Sequence, residues 1–187
     1  MEKFVHSCVS RMIECRVIDR KEEAVIIYGL DLLFSSVLAI TALLLIGVMI
    51  HKETYTVGLL VTFISLQSLG GGFHCKTHLK CWVAMLLGYL FAVYILAKLP
   101  IYILWSGAVL CFVCIFKFAP VENEKAPFGQ AFKMKMRKSV MIVYFIGVVA
   151  SMLLLVKYDE MANAILNGMT LSGGSILFAN ILKMNKK

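Results

Sequence analysis

Apolar residues gather into long blocks along this chain, and short polar stretches separate the blocks. Most blocks reach or approach the roughly 20 residues that a helix needs to cross a bilayer. They lack the alternation of apolar and polar residues that marks the strands of a membrane barrel. The pattern therefore predicts an all-α membrane protein with about six transmembrane helices in a single domain, residues 1–187. The predicted spans are residues 24–50, 55–69, 81–97, 101–116, 139–156 and 161–182.

The first 23 residues follow a different pattern. Apolar side chains recur there at helical spacing, among them Val5, Cys8 and Met12, and five basic residues lie between them. A helix with one apolar and one basic face lies in the membrane interface rather than across it. Charged residues run through the whole segment, so it has no apolar core of signal-peptide type. We expect an amphipathic interfacial helix over residues 1–23 that is retained in the protein.

Composition excludes a soluble fold. The chain is 60% hydrophobic and 16% charged, whereas an average soluble domain is roughly 45–50% apolar and about 25% charged. A soluble chain of 187 residues has too little interior to hide that much apolar surface. The lipid bilayer is therefore the expected surrounding.

The position of the basic residues predicts the orientation. With six spans and a cytoplasmic N-terminus, 16 of the 19 Lys and Arg residues fall on the cytoplasmic side. This asymmetry is the positive-inside pattern of multi-pass proteins. We expect a plasma-membrane protein with both termini and the turn at residues 70–80 in the cytoplasm. The net charge of +8 follows from these connections, so nucleic acid is not an expected partner.

The turn before the third span holds the candidate chemistry. It contains His74, Cys75, His78 and Cys81, so that two thiols and two imidazoles fall within eight residues. A thiolate nucleophile and an imidazole that shuttles its proton suffice for cysteine-protease chemistry. His74 and Cys81 are two helical turns apart and would share a face of a helical segment. Cys81 would open the third span, where the positive end of the helix dipole favours a thiolate.

Two other interpretations of the same turn stay open. Its two His and two Cys side chains would be enough for a structural zinc site, although such ligands usually come as pairs from separate elements. The turn could also be a polar interfacial segment without chemistry, in which Cys acts as a small apolar residue. Cys111 and Cys114 lie within an apolar span, where packing explains them better than redox chemistry. We expect no metal and no cofactor.

Two motifs resemble the AgrB family of accessory-gene-regulator processing peptidases. Gly71-Gly72-Phe73-His74 is followed by a Cys at the family's interval, Cys81. The segment 119–127 is similar to the family's Ala-Pro...Asn-Lys-Pro stretch, and the resemblance covers nearly the whole chain. Two positions depart from the family: Gln67 stands where an Arg is usual, and Ala126 is inserted before Pro127.

The resemblance implies a membrane cysteine endopeptidase of quorum sensing. Such an enzyme cuts the C-terminal part from an AgrD-type propeptide and retains the remainder as a thioester. A side chain of the peptide then closes a thiolactone or lactone ring. By residue match, Cys81 is the nucleophile and His74 the base. A homodimer is also implied.

Further residues complete the predicted site. The glycine run allows backbone amides of Gly71 and Gly72 to approach a substrate carbonyl as an oxyanion hole requires. Gln67 would orient a group or donate to the oxyanion. An acidic substrate tail would be held by Lys125, Lys133, Lys135, Arg137 and Lys138. The alternatives are a peptide transporter or exporter and a zinc-stabilised membrane adaptor. A transporter is disfavoured because the spans hold few ionisable residues and show no inverted repeat.

Overall fold

The computed structural model describes residues 2–15, 18–19, 23–71, 78–121 and 130–184. The helices within these ranges are α1 (Glu2–Glu14), α2 (Glu23–Met49), α3 (Glu53–Gly70), α4 (His78–Tyr94), α5 (Ile101–Phe118), α6 (Gln130–Leu154) and α7 (Asp159–Met184). A 3₁₀ turn at Leu96–Lys98 connects α4 to α5. No strand occurs in these ranges, and the all-α class predicted from the apolar blocks is confirmed.

Five of the described helices are long and apolar enough to cross a membrane. They are α2, α4 with the 3₁₀ turn, α5, α6 and α7. Their outward faces carry large apolar side chains, for example Leu87 at 61% exposure and Leu153 at 74%. Contiguous apolar surface of this kind has to be covered by lipid or by protein. Together with their length, it identifies a membrane protein.

The second predicted span corresponds to α3, which is not among those five helices. Its 18 residues include Glu53, Thr56 and Gln67. Several of its other residues are buried by protein rather than exposed to the surroundings, among them Tyr55 and Leu66. A helix covered by its neighbours can carry more polar side chains than one that faces lipid.

The chain divides into two compact units, and the first is Met1–Ala42. It contains α1 and the first part of α2. In α1 the side chains of Val5 and Val9, one turn apart, are fully buried. Ser10 and Arg11 on the other side are exposed. This helix is amphipathic, as its spacing predicts, but it ends at Glu14 instead of extending to residue 23.

The second unit, Leu43–Lys187, is built around α7. This helix packs most extensively against α3 and α5, and also against α6. Its small residues Ala164, Gly168 and Ser172 are buried, and a methyl group at Gly168 would lie 2.9 Å from the carbonyl oxygen of Leu59 in α3. The stripe therefore serves close packing within the chain. The core around it includes Leu66, Leu104, Cys111, Cys114, Ile115, Val140, Met169 and Ile176.

The connection between the fourth and fifth predicted spans is shorter than the sequence indicated. The predicted spans 101–116 and 139–156 leave residues 117–138 between them as a long polar connection, but α5 continues to Phe118 and α6 begins at Gln130. Lys133, Lys135, Arg137 and Lys138 therefore lie on the first turns of α6. Lys, Arg, Met and Gln are all good helix formers, so a basic segment of this composition extends the helix beyond the apolar block.

Candidate functional site

The helix α3 ends where the glycine run begins. Its last residue is Gly70, and Gly71 has φ +69° and ψ −179°, a backbone conformation essentially reserved for glycine. The glycine run predicts a break in the helix because glycine loses the most conformational freedom on ordering, and the helix does end at Gly70. This end of α3 lies directly before the segment that carries the candidate chemistry.

The end of α3 meets the segment that follows α5. The backbone N–H of Val121 donates to the carbonyl oxygen of Gly70 over 3.0 Å. A methyl group at Gly71 would lie 2.6 Å from the carbonyl oxygen of Val121. The side chain of Ala119, two residues earlier, is buried in the core. The start of the glycine turn and the start of the 119–127 motif are therefore in direct backbone contact.

Cys81 lies at the end of the first turn of α4, which begins at His78. The residue is partly buried and is not in a disulfide. Lys80 beside it is exposed. Backbone N–H groups in the first turn of a helix have no partner within the helix and carry its positive dipole end. The sequence predicted that Cys81 opens this helix, whereas the helix begins three residues earlier, at His78. Cys81 still lies in its first turn, and its role as nucleophile stays a prediction.

Four other predicted residues lie outside the described ranges. His74, Gly72, Cys75 and Lys125 belong to the segments 72–77 and 122–129. For His78 the structure describes the backbone as the first residue of α4. The predicted pairing of His74 with Cys81 and the predicted role of Gly72 therefore stay predictions.

Gln67, one turn before the end of α3, is tied to α7. Its Nε2 donates to Oγ of Ser175 over 2.9 Å. Its Oε1 is buried and accepts no hydrogen bond in the described part of the chain. One amide N–H of Gln67 is thus used to hold α3 against α7, and a carbonyl oxygen is left as an acceptor near the glycine turn.

A groove of about 240 Å³ adjoins Val121. We call it the Val121 groove; its lining consists of Phe118, Ala119, Pro120, Val121, Lys133, Met134, Arg137 and Asn180. Lys133 and Arg137 are one helical turn apart on α6 and share the face that lines it. Lys135 and Lys138 are exposed and do not line it. The structure thus separates the predicted basic residues of α6 into two pairs.

Arg137 is held in place at the edge of this groove. One of its guanidinium nitrogens donates to the carbonyl oxygen of Phe116 near the end of α5. The guanidinium carbon also lies 5.2 Å from the centre of the Phe116 ring, within the range of a cation–π contact. A guanidinium has five N–H donors, so others remain for an anion.

The Val121 groove is the part of the site that sequence reasoning did not find. The motif at 119–127 pointed to the segment, but nothing in its residues indicated a partner. The contact joins Gly70 to a residue far along the chain, and Asn180 comes from a third helix. Contacts of this kind leave no local pattern in a sequence.

The conformation of Gly71 leads to a stability prediction. We expect Gly71→Ala to destabilise the protein by about 1–3 kcal/mol, because the alanine would be strained and its methyl group would collide with Val121. The measurement is the midpoint of thermal unfolding in detergent. Gly174→Ala in α7 is the matched control, because a methyl group there meets nothing within 4 Å. Equal midpoints for the two variants would contradict the close contact.

Comparison with curated proteins and comparison with solved structures give no match. A family model does match the chain. The model is that of AgrB, accessory gene regulator B, and it matches residues 5–177 of the 187. A match over so much of the chain agrees with the two motifs: Gly70, which precedes the first motif, accepts a hydrogen bond from Val121 in the second. The chain therefore belongs to the AgrB family of membrane proteins, which process AgrD propeptides.

Proposed function

We propose that this chain is a membrane cysteine endopeptidase that removes the C-terminal part of an AgrD-type propeptide. The observation that supports it best is the backbone contact between Gly70 and Val121. It brings together two segments that are distant in sequence, and each carries one of the family motifs. Cys81 lies in the first turn of α4, which follows the first of them.

The proposed reaction divides into two acyl transfers. The Sγ of Cys81 attacks the scissile carbonyl carbon while His74 accepts the thiol proton. His74 then gives the proton to the leaving amine, the C–N bond breaks, and the N-terminal part remains as a thioester on Cys81. A thiol or hydroxyl of the peptide attacks that thioester carbonyl. The Cys81 thiol leaves with a proton, and a thiolactone or lactone ring closes.

The oxyanion of each step needs hydrogen-bond donors. We assign this role to the backbone amides of Gly71 and Gly72. Gly71 supports the assignment because it follows the last residue of α3 and precedes the segment that carries His74. Gln67 is assigned a positioning role, since its hydrogen bond to Ser175 fixes the end of α3 against α7.

The Val121 groove is proposed to hold the acidic tail of the substrate. Lys133 and Arg137 line it, and the groove adjoins the end of α3. A guanidinium and an ammonium one turn apart match carboxylates spaced along a peptide. Lys125, Lys135 and Lys138 would add attraction at longer range.

The acyl-enzyme gives a direct test of this function. When the purified protein is mixed with its propeptide and quenched in acid, we expect a covalent adduct of the N-terminal part on Cys81. Neutral hydroxylamine should release the adduct because it cleaves thioesters. Mass spectrometry of the intact protein measures both events. Cleaved propeptide without an adduct under any quench time would argue against the proposal.

The orientation belongs to the same proposal. We place both termini and the site on the cytoplasmic side, in accord with the basic residues that flank the spans. A membrane-impermeant maleimide applied to cells should then label cysteines introduced at Glu53 and Leu99 but not at Thr77 and Gln130. The unsubstituted chain supplies the background from its own thiols. External labelling at position 77 would mean that α3 does not cross, and the cytoplasmic site would be abandoned.

A homodimer is part of the proposal as well. The outer face of α4 offers a place for a second copy, because Ala84 is exposed and Gly88 has open space around it. Small residues allow two helices to approach closely in a membrane.

A further inference from the structure

A second cavity lies at the other end of the helices, away from the glycine turn. Its volume is about 250 Å³. We call it the Asn163 cavity; its lining consists of Lys52, Tyr55, Val93, Ala97, Asp159, Glu160 and Asn163. These residues come from the start of α3, the end of α4 with its 3₁₀ turn, and the start of α7. None of them has a role in the proposed reaction.

Exposed tyrosines place this cavity at the depth of the lipid headgroups. Tyr94, Tyr102 and Tyr158 are between 52% and 70% exposed, and each lies near the same end of a helix as the cavity. Tyrosines of membrane proteins collect at the boundary between headgroups and hydrocarbon. Val93 and Ala97 give the cavity an apolar wall, as expected where a lipid enters.

The charge of the lining favours a cation. Nζ of Lys52 and Oε1 of Glu160 are 2.7 Å apart, so these two charges neutralise each other. Asp159 remains as the unbalanced charge. One of its carboxylate oxygens accepts the backbone N–H of Glu160 over 2.8 Å. Its other oxygen and its negative charge are left for a ligand.

Two side-chain carbonyl oxygens in or next to the cavity accept no hydrogen bond. Oδ1 of Asn163 is buried and has no hydrogen-bond donor in the described part of the chain. Asn167, one turn deeper and fully buried, also has an Oδ1 without a donor. Its Nδ2 donates to the hydroxyl of Tyr55 over 2.7 Å, and that hydroxyl donates to the carbonyl of Ala92. Buried acceptors without a donor cost free energy, so this cavity favours a ligand that donates.

We propose that the Asn163 cavity binds the primary ammonium headgroup of a membrane lipid, such as phosphatidylethanolamine. A primary ammonium carries one positive charge and three N–H donors. It would form an ion pair with Asp159 and donate a hydrogen bond to the side-chain carbonyl oxygen of Asn163. The choline headgroup has the same charge but no N–H donor, so the site discriminates between the two. The inference is independent of the peptidase proposal.

The test compares two lipids with identical acyl chains. The purified protein in detergent is titrated with dioleoyl phosphatidylethanolamine or dioleoyl phosphatidylcholine, and native mass spectrometry counts the retained lipids. We expect roughly tenfold tighter retention of the ethanolamine lipid, the effect of one hydrogen bond to a charged group. Equal retention by the unsubstituted protein would overturn the proposal.

Variants connect that preference to the cavity. Asn163→Leu removes the acceptor, and Asp159→Asn removes the charge while keeping a side-chain oxygen that can accept the N–H of Glu160. Both should lose most of the preference. Glu53→Gln, an exposed acid that does not line the cavity, should keep it. If both cavity variants keep the preference for the ethanolamine lipid, the assignment to this cavity is wrong. If Asn163→Leu proves unstable, Asp159→Asn alone decides in the same way.

Two further probes identify the source of the ligand. Butylamine carries the same ammonium without a lipid, and phosphatidylglycerol carries the phosphate without an amine. We expect neither to displace the ethanolamine lipid at equal concentration. Displacement by butylamine would mean that the ligand of the cavity is a soluble amine and not a lipid. Displacement by phosphatidylglycerol would mean that Lys52 recognises phosphate. Either outcome would contradict the proposal.

Discussion

Cys81→Ala should abolish cleavage of the propeptide while the protein still inserts into the membrane. The reason is that Cys81 supplies the only atom that the proposed reaction bonds to the substrate, whereas membrane partition depends on the apolar helices. Loss of a nucleophile or of its base lowers turnover by at least roughly 10³-fold. We expect the same for His74→Ala. Both are measured by following a tagged propeptide on gels in cells that express each variant.

The matched controls come from the same turn. Cys75→Ala and His78→Ala should retain cleavage, because the proposal gives neither residue a role. Loss of cleavage in Cys75→Ala with full activity in Cys81→Ala would reverse the assignment of the nucleophile. This comparison is sharp because all four variants change one small or medium side chain within eight residues.

The same assay addresses the zinc interpretation. A thiolate and an imidazole need no metal, so cleavage should survive incubation with a strong chelator. A structural zinc site would instead lose its fold together with the metal. Inactivation by chelator that added zinc reverses would favour the zinc-stabilised adaptor and count against the peptidase as proposed.

The apolar blocks predicted the helices well because the bilayer imposes a simple rule. A spanning segment must be apolar over a fixed length, and each such block became a helix. The rule describes where the membrane begins, not where a helix ends. It therefore missed the basic first turns of α6, which continue the helix from Gln130. It is also weaker for α3, whose polar residues are shielded by protein.

The candidate site was predicted in its residues but not in its arrangement. The glycine run predicted the end of α3 because glycine loses the most conformational freedom on ordering. No property of Val121 indicated that its N–H would donate to Gly70. The hydrogen bond of Gln67 also needed the structure, because its partner Ser175 lies on a helix far along the chain. Long-range pairs are fixed by packing, and packing is not periodic in sequence.

Reversing the two groove charges should weaken substrate binding more than reversing two neighbouring charges. Lys133→Glu with Arg137→Glu changes the residues that line the Val121 groove. Lys135→Glu with Lys138→Glu changes the same net charge at exposed positions that do not line it. If the groove holds the acidic tail, we expect the first double variant to raise the KM for propeptide about tenfold and the second by less than about threefold.

The comparison separates substrate binding from membrane orientation. Basic residues beside a span fix its orientation and attract anionic lipid. Both effects depend on the number of charges and not on the exact positions of the residues on the helix. Both double variants should therefore disturb orientation equally. Arg137 also donates to the carbonyl of Phe116, so the thermal midpoint of each variant must be measured alongside its KM. Arg137→Lys keeps the charge and should leave the KM nearly unchanged if charge is what the substrate needs.

Compensating changes in the substrate give the strongest form of this prediction. Replacing acids of the propeptide tail by Lys should weaken binding to the unsubstituted protein. It should partly restore turnover by Lys133→Glu with Arg137→Glu, because opposite charges again face each other. Rescue should fade with added salt, since charges farther apart than about 8 Å are screened at physiological ionic strength. If both double variants insert correctly and cleave with unaltered KM at low salt, the basic turns of α6 serve orientation alone and the groove does not hold the substrate.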